Sequence, residues 1–209
     1  IQEGKLSGWD APRLGTLIAF RKRGYKPEAI IKFIKDIGIG RSDVQVSVDS
    51  LNSINRKIID HVSGRYFFVK DPKKIVIKNA PKLKTKVYIN SDSNDGEFRI
   101  FKTSDKFYIP DELEKDQAYR LIHLFNLKNN NFISKDYDTD LKTKMLHWLP
   151  YDENVKVEVV MDNGEIVKGL GEKSLCKLKP GTSVQFVRFG YGILTAKKKT
   201  KLEFNYIHN

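Results

Sequence analysis

The sequence predicts an α+β, multi-domain chain: a small N-terminal helical bundle over residues 1–64, followed by antiparallel β-barrels over 65–209. Three observations carry this. Up to Ser63-Gly64, apolar residues recur at helical spacing. From Tyr66 onward they alternate with polar residues in short runs separated by turn chemistry, the pattern of barrels rather than of a βαβ sheet. With 209 residues, 40% of them hydrophobic, the chain is long and apolar enough to bury a core.

The elements follow in order. Leu14, Leu17, Ile18 and Phe20 give one apolar helix face. Arg21-Lys22-Arg23 fall in its last turn, where cations oppose the negative end of the helix dipole, and Gly24 offers a left-handed stop. Pro27 fits the first turn of a second helix with Ala29, Ile30, Phe33, Ile34 and Ile37 at helical spacing, ended by Gly38 and Gly40. Asp49 or Ser50 is expected to cap a third helix carrying Leu51, Ile54, Ile58, Ile59 and Val62. Strands are predicted at Ile75–Ile77, Lys86–Ile89, Phe107–Ile109, Val155–Val160 and Val184–Arg188. Asp162-Asn163-Gly164 marks a hairpin because its turn demands positive φ, and Pro180-Gly181 opens another turn. Asn126 to Asp140, rich in Asn, Asp and Lys, reads as a mobile loop around one short strand.

Charge and chemistry narrow the function. Lys and Arg exceed Asp and Glu by 38 to 26, a net charge of +12. The excess is shared: residues 1–64 hold 11 basic and 7 acidic side chains, residues 65–209 the remaining 27 and 19. A polyanion lying across both halves fits, nucleic acid before membrane surface. No apolar stretch reaches the roughly 20 residues of a membrane span. Cys176 is the single cysteine, so disulfide scaffolds and thiolate metal clusters are excluded and a cytoplasmic setting is expected. Between Leu175 and Leu178 it reads as a small buried hydrophobe. The chain begins with Ile1 rather than Met, which suggests a piece of something longer. No phosphate-cradling Gly-Lys-Ser/Thr loop exists, and Gly38-Ile39-Gly40 lacks the third glycine of a dinucleotide site. His61, His123, His147 and His208 show no metal-ligand spacing, and His147 beside Trp148 reads as a packed barrel residue. Lys197-Lys198-Lys199-Thr200-Lys201 suits either a nucleic-acid patch or a solvated hairpin tip. The residues point to binding rather than to catalysis, with no metal site.

One set of motifs is far more specific. Ser7-Gly8-Trp9-Asp10-Ala11-Pro12-Arg13-Leu14-Gly15-Thr16-Leu17, followed by Arg21-Lys22-Arg23-Gly24-Tyr25, resembles a signature of class I glutamyl- and glutaminyl-tRNA synthetases at the exit from their catalytic domain. Gly64-Arg65-Tyr66-Phe67-Phe68-Val69-Lys70-Asp71-Pro72 is similar to the approach to their anticodon-binding barrels. Leu146-His147-Trp148, Val184-Gln185-Phe186-Val187-Arg188-Phe189-Gly190-Tyr191 and Phe204-Asn205 resemble later barrel strands. Ala11 and Gly15 depart from the pattern, replacing an Asp and a Pro. The compact β half resembles the archaeal-type glutamyl enzymes.

The resemblance implies a helical connector or stem-contact domain at 1–64 and two ribosomal-protein-like, anticodon-binding β-barrels. The proximal barrel would take residues about 65–145 plus the C-terminal strands, the distal one about 146–195. It implies a fragment of a glutamate–tRNA ligase, inactive alone. Its parent would carry a catalytic Rossmann domain using ATP and Mg²⁺, with tRNA for Glu as partner and tRNA for Gln as a second candidate. No cofactor is expected in this segment. A glutaminyl enzyme and a stand-alone RNA-binding barrel remain as alternatives. Arg65, Gln185 and Arg188 match anticodon readers; more loosely, so do Gln117, Tyr119, Arg120 and Lys128. Gln185 and Arg188, three apart, would face opposite sides of a regular strand, so a bend is needed to bring both to RNA. Arg21, Lys22 and Arg23 would meet the tRNA backbone, or simply solvate a helix end. Trp9 and Asp10 fit core packing and helix capping as well as a functional role.

Overall fold

The computed structural model describes residues 8–38, 45–90 and 96–209. Ser7, Ile39 and Gly40 of the motifs above lie outside them. Among the described residues, three α-helices precede a chain that is otherwise almost entirely strand and turn. No helix there is long and apolar enough to cross a membrane.

The helices are α1 (Leu17–Arg23), α2 (Pro27–Ile37) and α3 (Val48–Ile59). Thr16 rather than Asp10 caps α1, its hydroxyl accepting from the Ala19 amide at 3.1 Å. Asp10 instead pairs with Lys22 at 2.7 Å. Ser47, ahead of the expected Asp49 or Ser50, caps α3 by accepting from the Asp49 amide. Gly24 ends α1 with φ +96°, and a Cβ there would sit about 3.1–3.2 Å from Ile207 and Ile193. Only glycine fits both the turn and the packing.

The larger β-body is a nearly closed ring. It contains β1 (Gly64–Tyr66), β2 (Phe68–Lys70), β12 (Asn154–Val160), β13 (Ile166–Glu172), β14 (Ser183–Phe186), β15 (Gly190–Lys197) and β16 (Lys201–Tyr206). Their order is β1-β14-β15-β16-β12-β13-β2. The two edges, β1 and β2, are joined through Phe67 alone, so the chain itself closes the ring. The predicted hairpin joins β12 to β13, with Gly164 at φ +87°. The run Lys198–Thr200 is the tip of the β15–β16 hairpin.

The smaller body carries three sheets. β10 (Lys144–Leu146), β7 (Ala118–Leu121), β8 (Asn126–Lys128) and β9 (Asn131–Ser134) form the first; β11 (Leu149–Pro150), β6 (Lys106–Ile109) and β3 (Lys73–Val76) the second; β4 (Lys84–Tyr88) and β5 (Phe98–Lys102) the third. Two strands thus arise within Asn126–Asp140, where one was expected, because residues 126–128 and 131–134 pair across Asn129-Asn130 at positive φ. β16 pairs in parallel with β12 and antiparallel with β15, so the C-terminal strands share one ring with residues 154–186 and, at its edges, with β1 and β2. Their apolar residues decide it: Leu194, Leu202 and Phe204 fill the ring's core beside Val157, Val159 and Phe186.

One short segment serves both bodies. Side chains alternate across a strand, so Tyr66 and Phe68 enter the ring's core while Phe67 and Val69 enter the other. All four are buried, each contributing about 1.5–3 kcal/mol on the area scale for large side chains. Gly169 on β13 lets the wall come close: a Cβ there would lie 2.3 Å from the Val69 carbonyl oxygen. Trp148 centres the smaller core against Phe67, Phe101 and Phe107, its indole N–H donating to the Ile122 carbonyl at 2.9 Å.

Behind Phe67 lies a buried ion pair. Glu172 has no exposed surface; its Oε1 accepts from the Phe67 amide at 2.6 Å and from Arg99 Nη2 at 2.7 Å, and Ser174 donates to Oε2 at 2.9 Å. Arg99 Nε faces the same carboxylate, and its Nη1 donates to the Tyr88 carbonyl at 3.0 Å. A carboxylate of β13, the crossing point of the wall and β4–β5 are held by one cluster.

The helices dock on the ring through α1, α3 and the last residues. Arg23 Nη2 donates to the Ile207 carbonyl at 2.6 Å, and Tyr191 of β15 hydrogen-bonds Asp60 after α3. Burial and Asp60 push the Tyr191 phenol up to about 12. His208 lies between Tyr25 and Tyr191. Asn55 Oδ1 accepts from the Lys26 amide at 2.9 Å, so its Nδ2 must be the group facing His208 Nε2, also at 2.9 Å. Nε2 therefore accepts and Nδ1 donates to the Asn209 carbonyl: the imidazole is neutral.

Two predictions follow from these contacts. Arg99→Ala strands Glu172 uncompensated and should cost about 3–5 kcal/mol of unfolding free energy, read from urea midpoints; Arg99→Ala with Glu172→Leu should recover much of that loss. Burial lowers the proton affinity of His123, His147 and His208 below the ordinary imidazole value. The unfolded chain then binds more protons below about pH 6.5. Stability should hold above that pH and fall as pH drops through the folded values, and His208→Asn should flatten the decline.

Candidate nucleic-acid interface

β1 and β14 run parallel, and their register sets Arg65 beside Gln185. β15 continues the row, since Gln185 is paired with Tyr191. Directly paired residues share a sheet face, and strands lie about 4.7–4.9 Å apart. Tyr66 and Phe186, the next pair along, point into the core. Arg65, Gln185 and Tyr191 therefore line the outer face as one row about 10 Å long. Arg65 and Gln185 are half-buried.

The expected bend is present. β14 stops at Phe186, and Arg188 sits in a turn at φ +64°, with the Phe189 amide donating to the Phe186 carbonyl at 3.0 Å. Arg188 is exposed, and its charge together with burial holds the His147 imidazole below its ordinary value. Arg188 thus lies past the end of the Arg65–Gln185 row, not within it.

Beside the row, the two β-bodies enclose a cleft of ≈ 360 Å³. Arg65, Lys86, Arg99 and His123 line it with Phe67, Tyr88 and Val187, and no carboxylate lines it among the described residues. The Arg65 amide donates to the Ile89 carbonyl at 2.8 Å, which anchors β1 against the end of β4. Lys86 Nζ lies 3.8 Å from the centre of the Phe98 ring and 5.0 Å from that of Tyr88. Planar groups, apolar walls and converging cations suit an unstacked nucleotide, whose base needs a face to lie on and whose phosphate needs positive charge. Sequence reasoning missed Lys86, Arg99 and His123. The alternation Lys86-Val87-Tyr88 carried one signal, because it sets Lys86 and Tyr88 on the same strand face.

The looser group divides. Tyr119 is 3% exposed and its hydroxyl accepts from the Glu114 amide at 3.0 Å. Arg120 is 9% exposed, and its Nη1 donates to Asn126 Oδ1 and to the carbonyls of Lys135 and Asp136, at 2.9, 3.2 and 3.1 Å. Both build the smaller body. Gln117 is half-buried and bonded to the Ala118 carbonyl; Lys128 is exposed. The α1 run divides likewise. Arg21 and Lys22 are exposed, whereas Arg23 is 6% exposed and holds the Ile207 carbonyl. Two smaller readings are corrected. Trp9 is 68% exposed, not core, and Cys176 is exposed because it falls on the outer side of the short 3₁₀ turn Lys173–Lys177.

Fold and site define a class: a basic β-protein built to hold single-stranded nucleic acid. Comparison with known proteins sharpens it. Residues 63–152 match the anticodon-binding domain of the class I (E and Q) tRNA synthetases, and residues 145–195 match a second such domain. The chain is 39% identical, over its full length, to the glutamate–tRNA ligase of Methanocaldococcus jannaschii, covering 40% of that protein. It is 36% and 37% identical, again over its full length, to the glutamate–tRNA ligases of Methanobrevibacter smithii and Pyrococcus furiosus, covering 39% of each. The chain belongs to the class I glutamyl/glutaminyl-tRNA synthetase family, as its anticodon-binding part. It spans about two fifths of the length of these curated relatives.

The two halves of the looser group should respond differently. Arg120→Ala leaves the loop carbonyls and Asn126 without their donor and should cost about 1–3 kcal/mol, with faster amide exchange around Asp136; Lys128→Ala should leave both unchanged.

Proposed function

We propose that this chain reads the anticodon of tRNA for Glu as the C-terminal part of a glutamate–tRNA ligase. The observation that carries the reading is the register pairing of Arg65 with Gln185 at the mouth of a cation-lined cleft. Arg65 offers a planar fork that stacks on a base and bonds its edge. The Gln185 amide donates and accepts, which suits a pyrimidine edge. Arg188 takes a further contact from its turn, and Lys128 with Gln117 flanks the other body. Arg21 and Lys22 reach the tRNA backbone. The three small sheets, sharing one core, are read as a second, opened barrel beside the ring.

The remaining steps belong to the parent protein. A catalytic Rossmann domain there would use ATP and Mg²⁺ to form glutamyl-adenylate and pass glutamate to the tRNA in the cytoplasm. This segment would contribute by binding that is realised in the transition state from a distance, so that a wrong anticodon lowers the rate of transfer. The relatives reported above all carry the glutamate name, which supports this reading over the glutaminyl one. Charging of tRNA for Gln stands as a second substrate of the same site.

The test is binding of the 209-residue chain to a tRNA with a Glu anticodon and to the same tRNA with that anticodon replaced. Arg65→Ala should weaken the first by about 5–150-fold, the equivalent of about 1–3 kcal/mol for a stacked base, and the second far less. Equal losses for both would remove Arg65 from the reading role.

A further inference from the structure

The row Arg65–Gln185–Tyr191 does not end in solvent. Tyr191 is covered by the end of α3: its hydroxyl bonds Asp60, and the Arg56 guanidinium lies 6.0 Å from the centre of its ring. Arg56, Lys57, Asp60 and His61 line a hollow of ≈ 380 Å³ at that point, together with Ser53. Arg56, Lys57 and His61 are exposed. The hollow's one carboxylate, Asp60, accepts from the Tyr191 hydroxyl, and Arg56 and Lys57 form no salt bridge among the described residues. Cations in a last helical turn are favoured by the dipole, but that does not place them at the end of the row that bears Arg65 and Gln185. Two strand spacings, about 10 Å, separate Arg65 from Tyr191.

We propose that Arg56 and Lys57 on α3 form a phosphate-binding site for the tRNA backbone that adjoins the nucleotides held at Arg65 and Gln185. The inference rests on the anticodon reading above for the identity of the polyanion, and extends it to a site on the helical segment. On α1, to which the sequence pointed, Arg23 is buried against the Ile207 carbonyl, and the α3 site adds to the exposed Arg21 and Lys22. A phosphate site carries no base information, so its role is affinity and register, not discrimination.

The experiment titrates the 209-residue chain with the two tRNAs used above between about 50 and 200 mM salt. Lys57→Gln should make the slope of log affinity against log salt shallower by about 0.7, and Arg56→Gln with Lys57→Gln by about 1.4, the values for one and two neutralised single-strand charges. Both tRNAs should lose affinity by the same factor, and Lys57→Arg should retain the wild-type slope. Since the Arg56 guanidinium lies over the Tyr191 ring, an unchanged urea midpoint for Lys57→Gln keeps the single variant decisive. An unchanged slope in the double variant overturns the proposal, as does wild-type chain that binds neither tRNA. If the slope falls while the wild type treats both tRNAs alike, the phosphate site stands and the anticodon reading fails.

Discussion

The buried contact between Glu172, Arg99 and the Phe67 amide is the constraint on which the rest of the β-structure depends. A fully buried carboxylate is costly unless it is paired and hydrogen-bonded. Here it has a guanidinium on one side, a backbone N–H on another and the Ser174 hydroxyl on a third. Each partner comes from a different stretch of chain, so the carboxylate is satisfied only when β13, the β1–β2 junction and β5 are all in place. Such a cluster adds less net stability than an apolar core of equal size. What it supplies is a single allowed arrangement, since any slip of one stretch leaves a buried charge exposed to no partner.

The proposed reading surface inherits its geometry from that arrangement. Phe67 is the link through which the ring closes, and Arg65 is two residues before it. Arg99 serves the core and lines the cleft at once, its charge compensated by Glu172. A site on strands of a nearly closed sheet holds its groups in fixed register, which a loop of the same residues would not.

Much of this was legible in the residues, for identifiable reasons. The Asp162-Asn163-Gly164 hairpin, the Gly24 stop and the Pro27 start depend on local backbone geometry, and each stands where the sequence set it. The pairing of Arg65 with Gln185 was not legible from spacing, because parallel register between residues 120 apart depends on the whole ring. Side chains that look functional in sequence divide by burial: Arg23, Tyr119 and Arg120 are spent on the scaffold, while their neighbours Arg21, Lys22 and Lys128 stay exposed. Helical periodicity alone cannot make that division. Leu17 and Ile18, read as a core face, are 66% and 59% exposed, since α1 is short and turns its Ala19 and Arg23 side to β16.

The two kinds of contact proposed for RNA also differ in what they can do. At the row and cleft, a base is held by planar groups and by donors and acceptors with fixed direction, so exchanging the base leaves polar atoms unpaired and costs affinity selectively. On α3, a guanidinium and an ammonium meet phosphates that every nucleotide shares. Direction matters little there and ionic strength matters a great deal. Because Tyr191 belongs to the row and to the α3 contact together, with its phenol held by Asp60 and its ring beneath Arg56, the sensitive and the insensitive contacts are fixed relative to one another. A backbone gripped at α3 as proposed would present its next nucleotides to Arg65 and Gln185 in one register, and it is this rigid offset, not the sum of the charges, that would let a basic surface tell anticodons apart.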